Sequence, residues 1–480
     1  MDRRTFIAGA TGFGLLGAAR AFAGTQTPPR LRFGVISDLH LKDAKSCARY
    51  ARALRWFDVQ RADAVLCCGD LTDWGLSHQL KMVADTWRAV FPGDRRSDGA
   101  PITRLFLYGD HDNGGYAHHH FGSFEAAQRL YGFTAAEVEA MAIRQSGAAR
   151  RWEEAFGEAY EPIFVREVKG YRFVLANFTM DGGAANPRGD NTPGAEARLA
   201  ALARDPSKPF FYAQHRVYRG TMGGAEMTGL DDGRATAMLA QHPNCVAFCG
   251  HAHRTLTDEK MIWQGAFTAV EAPSLAYVTQ ANGRENARTI DEARARQGVT
   301  PLLPTYPMTV PEQGLLVSVW DDQISFERWD FRCDARLGAA WTLPLGAAAA
   351  QPYAPEARAA AMPAPRFPAG ARAVVTRGAN ENREREPIDQ YRVSFPAAVS
   401  TATSPRALDY EVRAFVGAAA TPAVTRLVYS DRCARPEAEE TLPVVCPFAV
   451  DEFPVGAHVR FEVRARNAFG RCGAPLEVAG

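Results

Sequence analysis

Five short motifs along this chain carry Asp and His side chains of the kind that bind divalent metal ions. In order they are SDLH with Asp38 and His40, GDLTD with Asp70, GDHD with Asp110, AQHR with His215, and GHAH with His251 and His253. Carboxylate oxygen and imidazole nitrogen suit manganese, iron or zinc, and the absence of Cys ligands argues against a closed structural zinc site. Two such ions can lower the pKa of a shared water and clamp a phosphoryl group, so the pattern indicates two-metal hydrolysis.

The elements that must position these motifs are short strands. Each motif follows a β-branched or aromatic run, so its side chains are expected just past the carboxyl end of a strand, where open α/β sheets bind ligands. The predicted strands are Leu31–Ser37, Ala64–Cys68, Thr103–Leu107, Tyr171–Asn177, Phe210–Gln214 and Cys245–Cys249, with a hairpin of Leu315–Trp320 and Gln323–Trp329. Helical periodicity covers Ala44–Asp58, His78–Phe91 and a stretch around Glu125–Glu158. Alternation of this kind predicts layered α/β architecture.

The motif series resembles the calcineurin-like metallophosphoesterase family, whose pattern is DxH, GDxxD, GNHD or GNHE, a lone His, and GHxH. The resemblance spans roughly Arg32 to Phe331. It implies a β-sandwich core flanked by helices in four αββα layers, and two divalent ions as cofactors. One ion would be held by Asp38, His40, Asp70 and His253, and the other by Asp70, Asp110, His215 and His251. Asp70 would bridge the two ions.

The same resemblance implies a reaction and two catalytic residues. A metal-bound hydroxide would attack a small phosphate ester, His111 would donate a proton to the leaving oxygen, and Asp112 would orient His111. An imidazole titrates near neutrality, and a neighbouring carboxylate favours its charged form, so His111 suits that role. Monoester and diester substrates both stay open.

Asp110 departs from the family pattern, which has Asn at this position. Two dications, three carboxylates and one hydroxide sum to zero charge, whereas Asn would leave one positive charge. A neutral site attracts an anionic phosphate less and holds its ions more firmly. An alternative function is therefore a catalytically weakened, metal-binding cell-surface or binding module whose C-terminal β-sandwich carries the function.

Three further features near the motifs have competing interpretations. Asp73 is expected to cap the helix that follows it, because a short carboxylate accepts hydrogen bonds from free helix amides. The tract His118 to His120 is expected in a solvated loop, with a contact to phosphate or an extra metal as the alternative. Met222 and Met227, in the insertion after His215, would cover an apolar leaving group or belong to a flexible flap.

The first residues predict export. Arg3 and Arg4 precede an uncharged Gly- and Ala-rich stretch, and Ala21 to Ala23 form a small-x-small cleavage site, so residues 1–23 have the layout of a twin-arginine signal peptide. The alternative is a membrane anchor, but the 14 uncharged residues from Phe6 to Ala19 are fewer than the roughly 20 needed to span a bilayer. No later segment is long and apolar enough to do so. The expected location is the periplasm or the medium.

Length and composition predict a chain with a large core and two domains. The 480 residues are 46% hydrophobic, and the net charge of +1 gives no general attraction to nucleic acid or anionic lipid. Among nine cysteines, those in the runs AVLCCGD and CVAFCGH are expected to pack as small apolar side chains. Cys433 and Cys446 are the favoured disulfide pair, with Cys472 as a competitor.

The C-terminal third is expected to be a separate all-β domain. Residues 30–342 form the predicted catalytic domain, and residues 343–370, rich in Ala and Pro, form a linker or a strap lying on it. In residues 371–480, Tyr410 to Val416 and Val459 to Ala465 alternate apolar with polar side chains, as strands with one buried face do. This region resembles a fibronectin type III β-sandwich.

Overall fold

The structure is a computed structural model, and it describes residues 27–112, 148–178, 199, 208–306, 311–346, 350–401, 405–436 and 442–479. The predicted signal peptide, residues 1–23, and the tract His118 to His120 lie outside the described residues. Export and the behaviour of that tract therefore stay predictions.

Twenty strands and six α-helices make up the described part of the chain. The strands of the first two thirds are β1 (Leu31–Ile36), β2 (Ala64–Cys67), β3 (Thr103–Phe106), β4 (Ile163–Val168), β5 (Tyr171–Ala176), β6 (Phe210–Ala213), β7 (Cys245–Cys249), β8 (Ile262–Gln264), β9 (Thr268–Glu271), β10 (Gln313–Val319), β11 (Gln323–Asp330), β12 (Ala335–Arg336) and β13 (Trp341–Pro344). The C-terminal strands are β14 (Ala373–Glu381), β15 (Pro387–Phe395), β16 (Asp409–Val416), β17 (Val424–Val428), β18 (Val444–Ala449), β19 (Val459–Arg466) and β20 (Val478–Ala479). The helices are α1 (Ala44–Val59), α2 (Ser77–Val90), α3 (Ala148–Phe156), α4 (Arg234–Leu239), α5 (Glu292–Arg296) and α6 (Pro355–Ala361).

Two mixed sheets form the centre of the larger region. The first has the order β12-β11-β10-β1-β2-β3, with β13 also paired to β11, and the second has the order β4-β5-β6-β7-β9-β8. Within the first sheet β1, β2 and β3 are parallel, and within the second β5, β6, β7 and β9 are parallel. Parallel neighbours have their carboxyl ends at one edge, so residues that follow these strands are brought to the same edge of each sheet.

An apolar layer joins the two sheets. The ring of Phe33 on β1 lies 5.2 Å from Phe173, 5.0 Å from Phe211 and 5.9 Å from Phe248 between ring centroids, all on strands of the second sheet. All four side chains are at most 1% exposed. Edge-to-face aromatic contacts of this kind contribute about 0.5–1.5 kcal/mol each beyond the area they bury. The sheets therefore pack face to face as a sandwich.

Helices cover the outer face of the first sheet. Tyr50, Leu54 and Phe57 of α1, with Trp87 of α2 and Trp152 of α3, lie in one buried cluster with residues of that sheet. Helix α1 begins where it does because Asp43 and Ser46 form a capping box, in which the Asp43 carboxylate accepts from the Ser46 amide at 2.7 Å. On the second sheet, α4 forms part of the crossover between β6 and β7. The predicted α/β sandwich of αββα layers is confirmed.

The C-terminal region is all β, as predicted, in two small sheets. One has the order β18-β15-β14-β20 and the other β17-β16-β19, and every pairing except β14 with β20 is antiparallel. Tyr410, Val412 and Ala414 of β16 are buried with Phe461 and Val463 of β19, so the period-two pattern did mark buried faces. The closer likeness to fibronectin type III domains stays a prediction.

The disulfide prediction is wrong. Cys433 and Cys446 form no disulfide with each other or with Cys472. Cys433 packs beside Tyr429 in one apolar cluster, whereas Cys446 lies on β18 in the core of the C-terminal sheets beside Phe448. Burial raises the pKa of both thiols, and Cys433 Sγ also accepts a hydrogen bond from Gln280 Nε2 at 2.5 Å.

The Ala- and Pro-rich segment is a strap rather than a free linker over its described residues. Its start belongs to β13, which pairs with β11, and α6 follows. Tyr353 is 8% exposed and packs in the core between the two sheets, and Arg358 forms an ion pair with Glu259. None of the helices in the described ranges has the length and apolarity needed to cross a bilayer.

Candidate metal centre

All seven predicted metal ligands lie at one end of the sandwich, just beyond the strands that precede them. Asp38 and His40 follow β1, Asp70 follows β2 and Asp110 follows β3 of the first sheet, while His215 follows β6 and His251 and His253 follow β7 of the second. Because the two sheets face each other, these loops meet across the sandwich. The ligand atoms fall into two sets of four, each within 4.8 Å of one another, and Asp70 belongs to both.

The first set joins Asp38, His40, Asp70 and His253, all of them buried. His253 Nε2 lies 3.0 Å from Asp38 Oδ1 and 3.3 Å from His40 Nε2, and His40 Nε2 lies 3.7 Å from Asp70 Oδ2. Two imidazole Nε2 atoms that face each other beside two carboxylates form a donor set that fits a divalent cation.

The second set joins Asp70, Asp110, His215 and His251. His215 Nε2 lies 2.9 Å from Asp110 Oδ1 and 3.3 Å from Asp70 Oδ1, and His251 Nδ1 lies 3.1 Å from both Asp110 Oδ1 and His215 Nε2. The two oxygens of Asp70 thus face different sets. That geometry fits a carboxylate that bridges two ions.

The outer nitrogens of two of these rings have backbone acceptors that fix the tautomer. His215 Nδ1 lies 2.7 Å from the carbonyl of Cys68, and His253 Nδ1 lies 3.1 Å from the carbonyl of Tyr277. An N–H directed at each carbonyl leaves Nε2 of these two rings unprotonated and directed into the site, which is the form that binds metal. His40 Nδ1 lies 3.3 Å from Asp73 Oδ1 as an ion pair without hydrogen-bond geometry.

Asp73 is therefore not the helix cap that the sequence predicts. Helix α2 has Leu76 at its N-cap and no side-chain cap hydrogen bond. The Asp73 carboxylate instead contacts His40 and accepts a hydrogen bond from Lys42 Nζ at 2.9 Å. Burial opposes ionisation of Asp73, yet His40 and Lys42 together hold its pKa below the usual range.

His111 lies beside the first set but is oriented by a different group than predicted. Its Nδ1 lies 2.7 Å from the carbonyl of Asp73, its Nε2 lies 3.9 Å from Asp70 Oδ2, and its ring is 4.5 Å from that of His40. Burial opposes the charged ring, but Asp70, Asp110 and the Asp73 carbonyl outweigh it and raise the pKa of His111. The side chain is 13% exposed, so Nε2 borders the site while the Asp73 carbonyl holds the ring.

The prediction that Asp112 orients His111 is wrong. The Asp112 carboxylate accepts hydrogen bonds from the Leu71 amide, the Thr72 amide and hydroxyl, and the Gly109 amide at 2.8–3.0 Å. It thereby fixes the GDLTD loop to the GDHD loop. Burial first, and the charge of Asp70 second, raise the pKa of Asp112 to about 7.

The charged groups of the second set hold each other in their ionised forms. Burial opposes ionisation of Asp110, but His251 and His215 outweigh it and place its pKa well below the usual range. Burial likewise opposes the charged His215 ring, but Asp70 and Asp110 raise its pKa well above the usual value. A cation that takes the place of the His215 proton would meet the same carboxylates, so metal binding at this set is coupled to proton release.

Five of the seven ligands sit in the left-handed backbone region. The φ angles are 50° at Asp38, 44° at His40, 49° at Asp70, 68° at His251 and 53° at His253. Asp and His tolerate this region better than most residues, at a cost of roughly 1–2 kcal/mol each. Strain that recurs in one site of a structure is typical of functional geometry.

Glycines in two motifs allow the loops to meet. A Cβ at Gly109 would overlap the carboxylate and amide of Asp70, and one at Gly69, where φ is 96°, would overlap the His215 ring and the backbone of Gly109. The glycines of GDLTD and GDHD are therefore required by close approach of backbone to ligand.

Sequence reasoning missed the segment after β9 that lines the first set. Ser274 donates to the Asp38 carbonyl at 3.2 Å, and the Tyr277 ring stacks on His253 with centroids 4.0 Å apart. The sequence offered one signal for this segment, which is that it follows the carboxyl end of a strand, as the motifs do. Met222 and Met227, 1% and 6% exposed, pack in the core, so both predictions for them are wrong.

The chain has the metallophosphoesterase fold. Two mixed sheets form a sandwich with helices outside, and their strand ends bring Asp and His together in two sets of four. The model of the calcineurin-like phosphoesterase family matches residues 31–254, and the chain contains a calcineurin-like phosphoesterase domain. The family and the buried Asp and His cluster together indicate binding of divalent metal at a dinuclear site. The role of each individual residue stays a prediction.

Two of the solved structures that the chain matches are a phosphatase and a membrane-complex anchor. A dimetal phosphatase from Danio rerio has a TM-score of 0.35 and 11% identity, covering 66% of this chain and 100% of that chain. GAP50, the anchor in the inner membrane complex of Plasmodium, has a TM-score of 0.37 and 10% identity, covering 66% of this chain and 88% of that chain. Likeness at this level carries no argument about activity. No curated protein matches the chain.

Proposed function

We propose that the protein is a dinuclear, metal-dependent phosphoesterase that hydrolyses small phosphate mono- or diesters. The observation that carries this proposal is the sharing of Asp70 between two buried sets of Asp and His ligands. Asp38, His40, Asp70 and His253 would hold one ion, and Asp70, Asp110, His215 and His251 the other. Manganese, iron and zinc all suit these donors.

A pair of bound ions supplies an activated water and neutralises charge on the phosphoryl group. The protein's own residues then have distinct tasks. Asp70 fixes the separation of the two sets through its two oxygens. The carbonyls of Cys68 and Tyr277 keep the rings of His215 and His253 in the tautomer that leaves Nε2 unprotonated.

His111 would deliver the proton that the leaving oxygen needs. Its Nδ1–H is held by the Asp73 carbonyl, and its Nε2 borders the first set. Asp70, Asp110 and the Asp73 carbonyl raise the pKa of His111 against the effect of burial, which favours the protonated ring. General acid catalysis matters most when the leaving alkoxide is basic, so alkyl esters depend on His111 more than activated aryl esters do.

The test is hydrolysis of a chromogenic phosphodiester and the matching monoester by full-length protein after dialysis against Mn²⁺. Turnover that needs the metal and is abolished by a chelator supports the proposal. Protein that binds two ions per chain yet cleaves neither ester above background contradicts it, and favours instead a metal-binding module whose C-terminal sheets carry the function.

We also propose that the chain is exported by the twin-arginine route to the periplasm or the medium. Arg3 and Arg4 ahead of the uncharged Gly- and Ala-rich stretch support this. That route carries folded proteins, which suits an enzyme that must acquire its ions first. Fractionation of expressing cells is expected to find the mature chain outside the cytoplasm, starting near Gly24. Full-length chain recovered only from the cytoplasm contradicts the proposal.

Asp110→Asn is expected to retain two ions while changing turnover. Asn keeps the Oδ1 atom that His215 and His251 both approach, but it removes one negative charge, so the ions bind less firmly and an anionic ester is attracted more strongly. Metal analysis and kcat/KM for the diester measure both effects, with a several-fold change in kcat/KM expected. Total loss of metal from this variant would refute the assigned role of Asp110.

A further inference from the structure

The loop formed by residues 217–233, which joins His215 to α4, walls one side of the second ligand set. A Cβ at Gly229 would overlap the His251 ring, so the loop backbone passes directly against that ligand. Asp231 ties the ends of the loop together, because its carboxylate accepts from the amides of Arg219 and Gly233 at 2.9 Å and from Gln214 Nε2 at 3.0 Å. The position of this loop therefore sets the space available to His251.

A single residue, Glu226, fastens the middle of the 217–233 loop. Its carbonyl accepts a hydrogen bond from Arg254 at 2.6 Å, and Arg254 directly follows His253. Its carboxylate pairs with Lys260 through Oε2 at 2.5 Å and with Arg284 through Oε1 at 2.6 Å. Three cations thus converge on Glu226, and one of them belongs to the GHAH loop itself.

Arg284 carries this contact into the C-terminal sheets. Its Nε and Nη2 both lie 2.8 Å from Asp409 Oδ2, at the start of β16, and its guanidinium lies 5.2 Å from the centre of the Tyr429 ring. Asp409 also accepts from Arg466 of β19 at 2.7 and 2.8 Å. The side chains of Arg284 and Asp409 are 4% and 0% exposed, so this pair is desolvated and its geometry is fixed from both sides.

We propose that the C-terminal sheets position the second metal-binding set, through a chain of contacts that runs Asp409, Arg284, Glu226 and then the 217–233 loop against His251. Glu226, Arg284 and Asp409 are positioning residues, and none of them is a ligand. The inference rests on the proposed function in so far as the Asp and His sets bind metal. It makes the C-terminal region part of the metal centre's scaffold rather than an independent binding module.

The test compares Glu226→Gln with Glu327→Gln in the full chain. Glu226 is 38% exposed, and its buried partner Arg284 keeps Asp409 as a counter-charge in the neutral variant. Glu327 on β11 is a matched control outside the loop. It is 28% exposed, and its carboxylate lies 2.7 Å from the guanidinium of Arg336. Arg284→Lys is the conservative second variant, since it keeps a cation but cannot contact both carboxylates with one planar group.

Three readouts separate positioning from a general loss of stability. Amide hydrogen exchange of residues 217–233 is expected to accelerate in Glu226→Gln and, less strongly, in Arg284→Lys, while exchange in β1 and β10 stays unchanged. Calorimetric titration with Mn²⁺ is expected to show one of two ions bound about 10-fold more weakly, the lower end of the loss seen when support for a ligand is removed. The value of kcat is expected to fall with that ion's occupancy and to recover at high Mn²⁺.

Equal exchange and equal Mn²⁺ affinity in Glu226→Gln, Arg284→Lys and the Glu327→Gln control would overturn the inference. Loss of both ions together, or faster exchange throughout the chain, would also overturn it, since either result indicates general destabilisation. Exchange and ion affinity are measured without an ester. A wild-type protein that binds Mn²⁺ but cleaves nothing therefore defeats the proposed function while these two readouts still decide this inference.

Discussion

Asp70→Asn is expected to abolish ester hydrolysis and to reduce the bound metal from two ions to at most one. The two Asp70 oxygens face different ligand sets, at 3.7 Å from His40 Nε2 and 3.3 Å from His215 Nε2. An amide offers one oxygen and one N–H group, and the N–H group cannot coordinate a cation. Loss of a residue that only supports a ligand typically costs about 10- to 100-fold in affinity or activity, so loss of a shared ligand should exceed about 100-fold.

Asp63→Asn is the matched control for Asp70→Asn. Asp63 lies just before the amino end of β2, the strand that Asp70 follows, is 9% exposed, and accepts from the Arg32 amide at 2.9 Å. The control is expected to keep both ions and its activity. Elemental analysis after gel filtration measures stoichiometry, and steady-state kinetics with Mn²⁺ measures turnover. Two tightly bound ions in Asp70→Asn would show that Asp70 does not bridge.

His111→Ala should retain both ions and slow the hydrolysis of esters with poor leaving groups most. His111 Nε2 borders the first set but its ring is held by a backbone carbonyl, so its removal leaves the ligands in place. General acid catalysis typically contributes about 10²- to 10⁴-fold. We expect a loss of that size for an alkyl phosphate and a much smaller one for a nitrophenyl ester, whose leaving oxygen needs no proton.

The measurement for His111→Ala is a plot of log kcat/KM against the pKa of the leaving group for a series of esters. The slope is expected to be steeper in the variant than in the wild type. His78→Ala, at an exposed position near the start of α2, serves as the control and should leave the slope unchanged. If the plots for wild type and His111→Ala are parallel, His111 is not the proton donor, even if the variant is slower with every ester.

The periodicity of apolar residues and the order of the motifs predicted most of the fold, and they predicted which side chains meet at the site. Predicted strands such as Ala64–Cys68 and Phe210–Gln214 agree with β2 and β6 to within one residue. Apolar runs bounded by polar motifs mark parallel strands that are buried on both faces. Strands β8 and β9 were missed, since neither leads into one of the Asp and His motifs that pointed to β2 and β6.

The local roles of Asp73 and Asp112 were harder to predict, for a physical reason. Sequence proximity suggests that Asp73 caps α2 and that Asp112 touches His111, since both groups are close along the chain. Left-handed turns at Asp38, His40 and Asp70 redirect the loops, so Asp73 reaches back to His40 and Asp112 reaches across to Leu71 and Thr72. Contacts made by such turns are not encoded in propensity.

The disulfide prediction failed because it rested on the expected oxidising compartment and on sequence spacing, and took no account of where each Cys is buried. Cys433 and Cys446 belong to two different apolar clusters, so the two thiols do not meet. The Met222 and Met227 predictions failed in the same way, since both side chains fill the core between the sheets.

The positive φ angles at five ligand positions restrict what those positions accept, apart from any demand of the metal. Val, Ile and Thr are nearly barred from this backbone region, whereas Gly enters it freely and Asn, Asp and His enter it at a smaller cost than most residues. A saturation library at Asp38 or His251 that is selected for folding alone should thus retain only a few amino-acid types at that position. Variants that lose the ions but keep the fold would carry mainly Asn or Gly there. Their backbone structure would closely resemble that of functional variants.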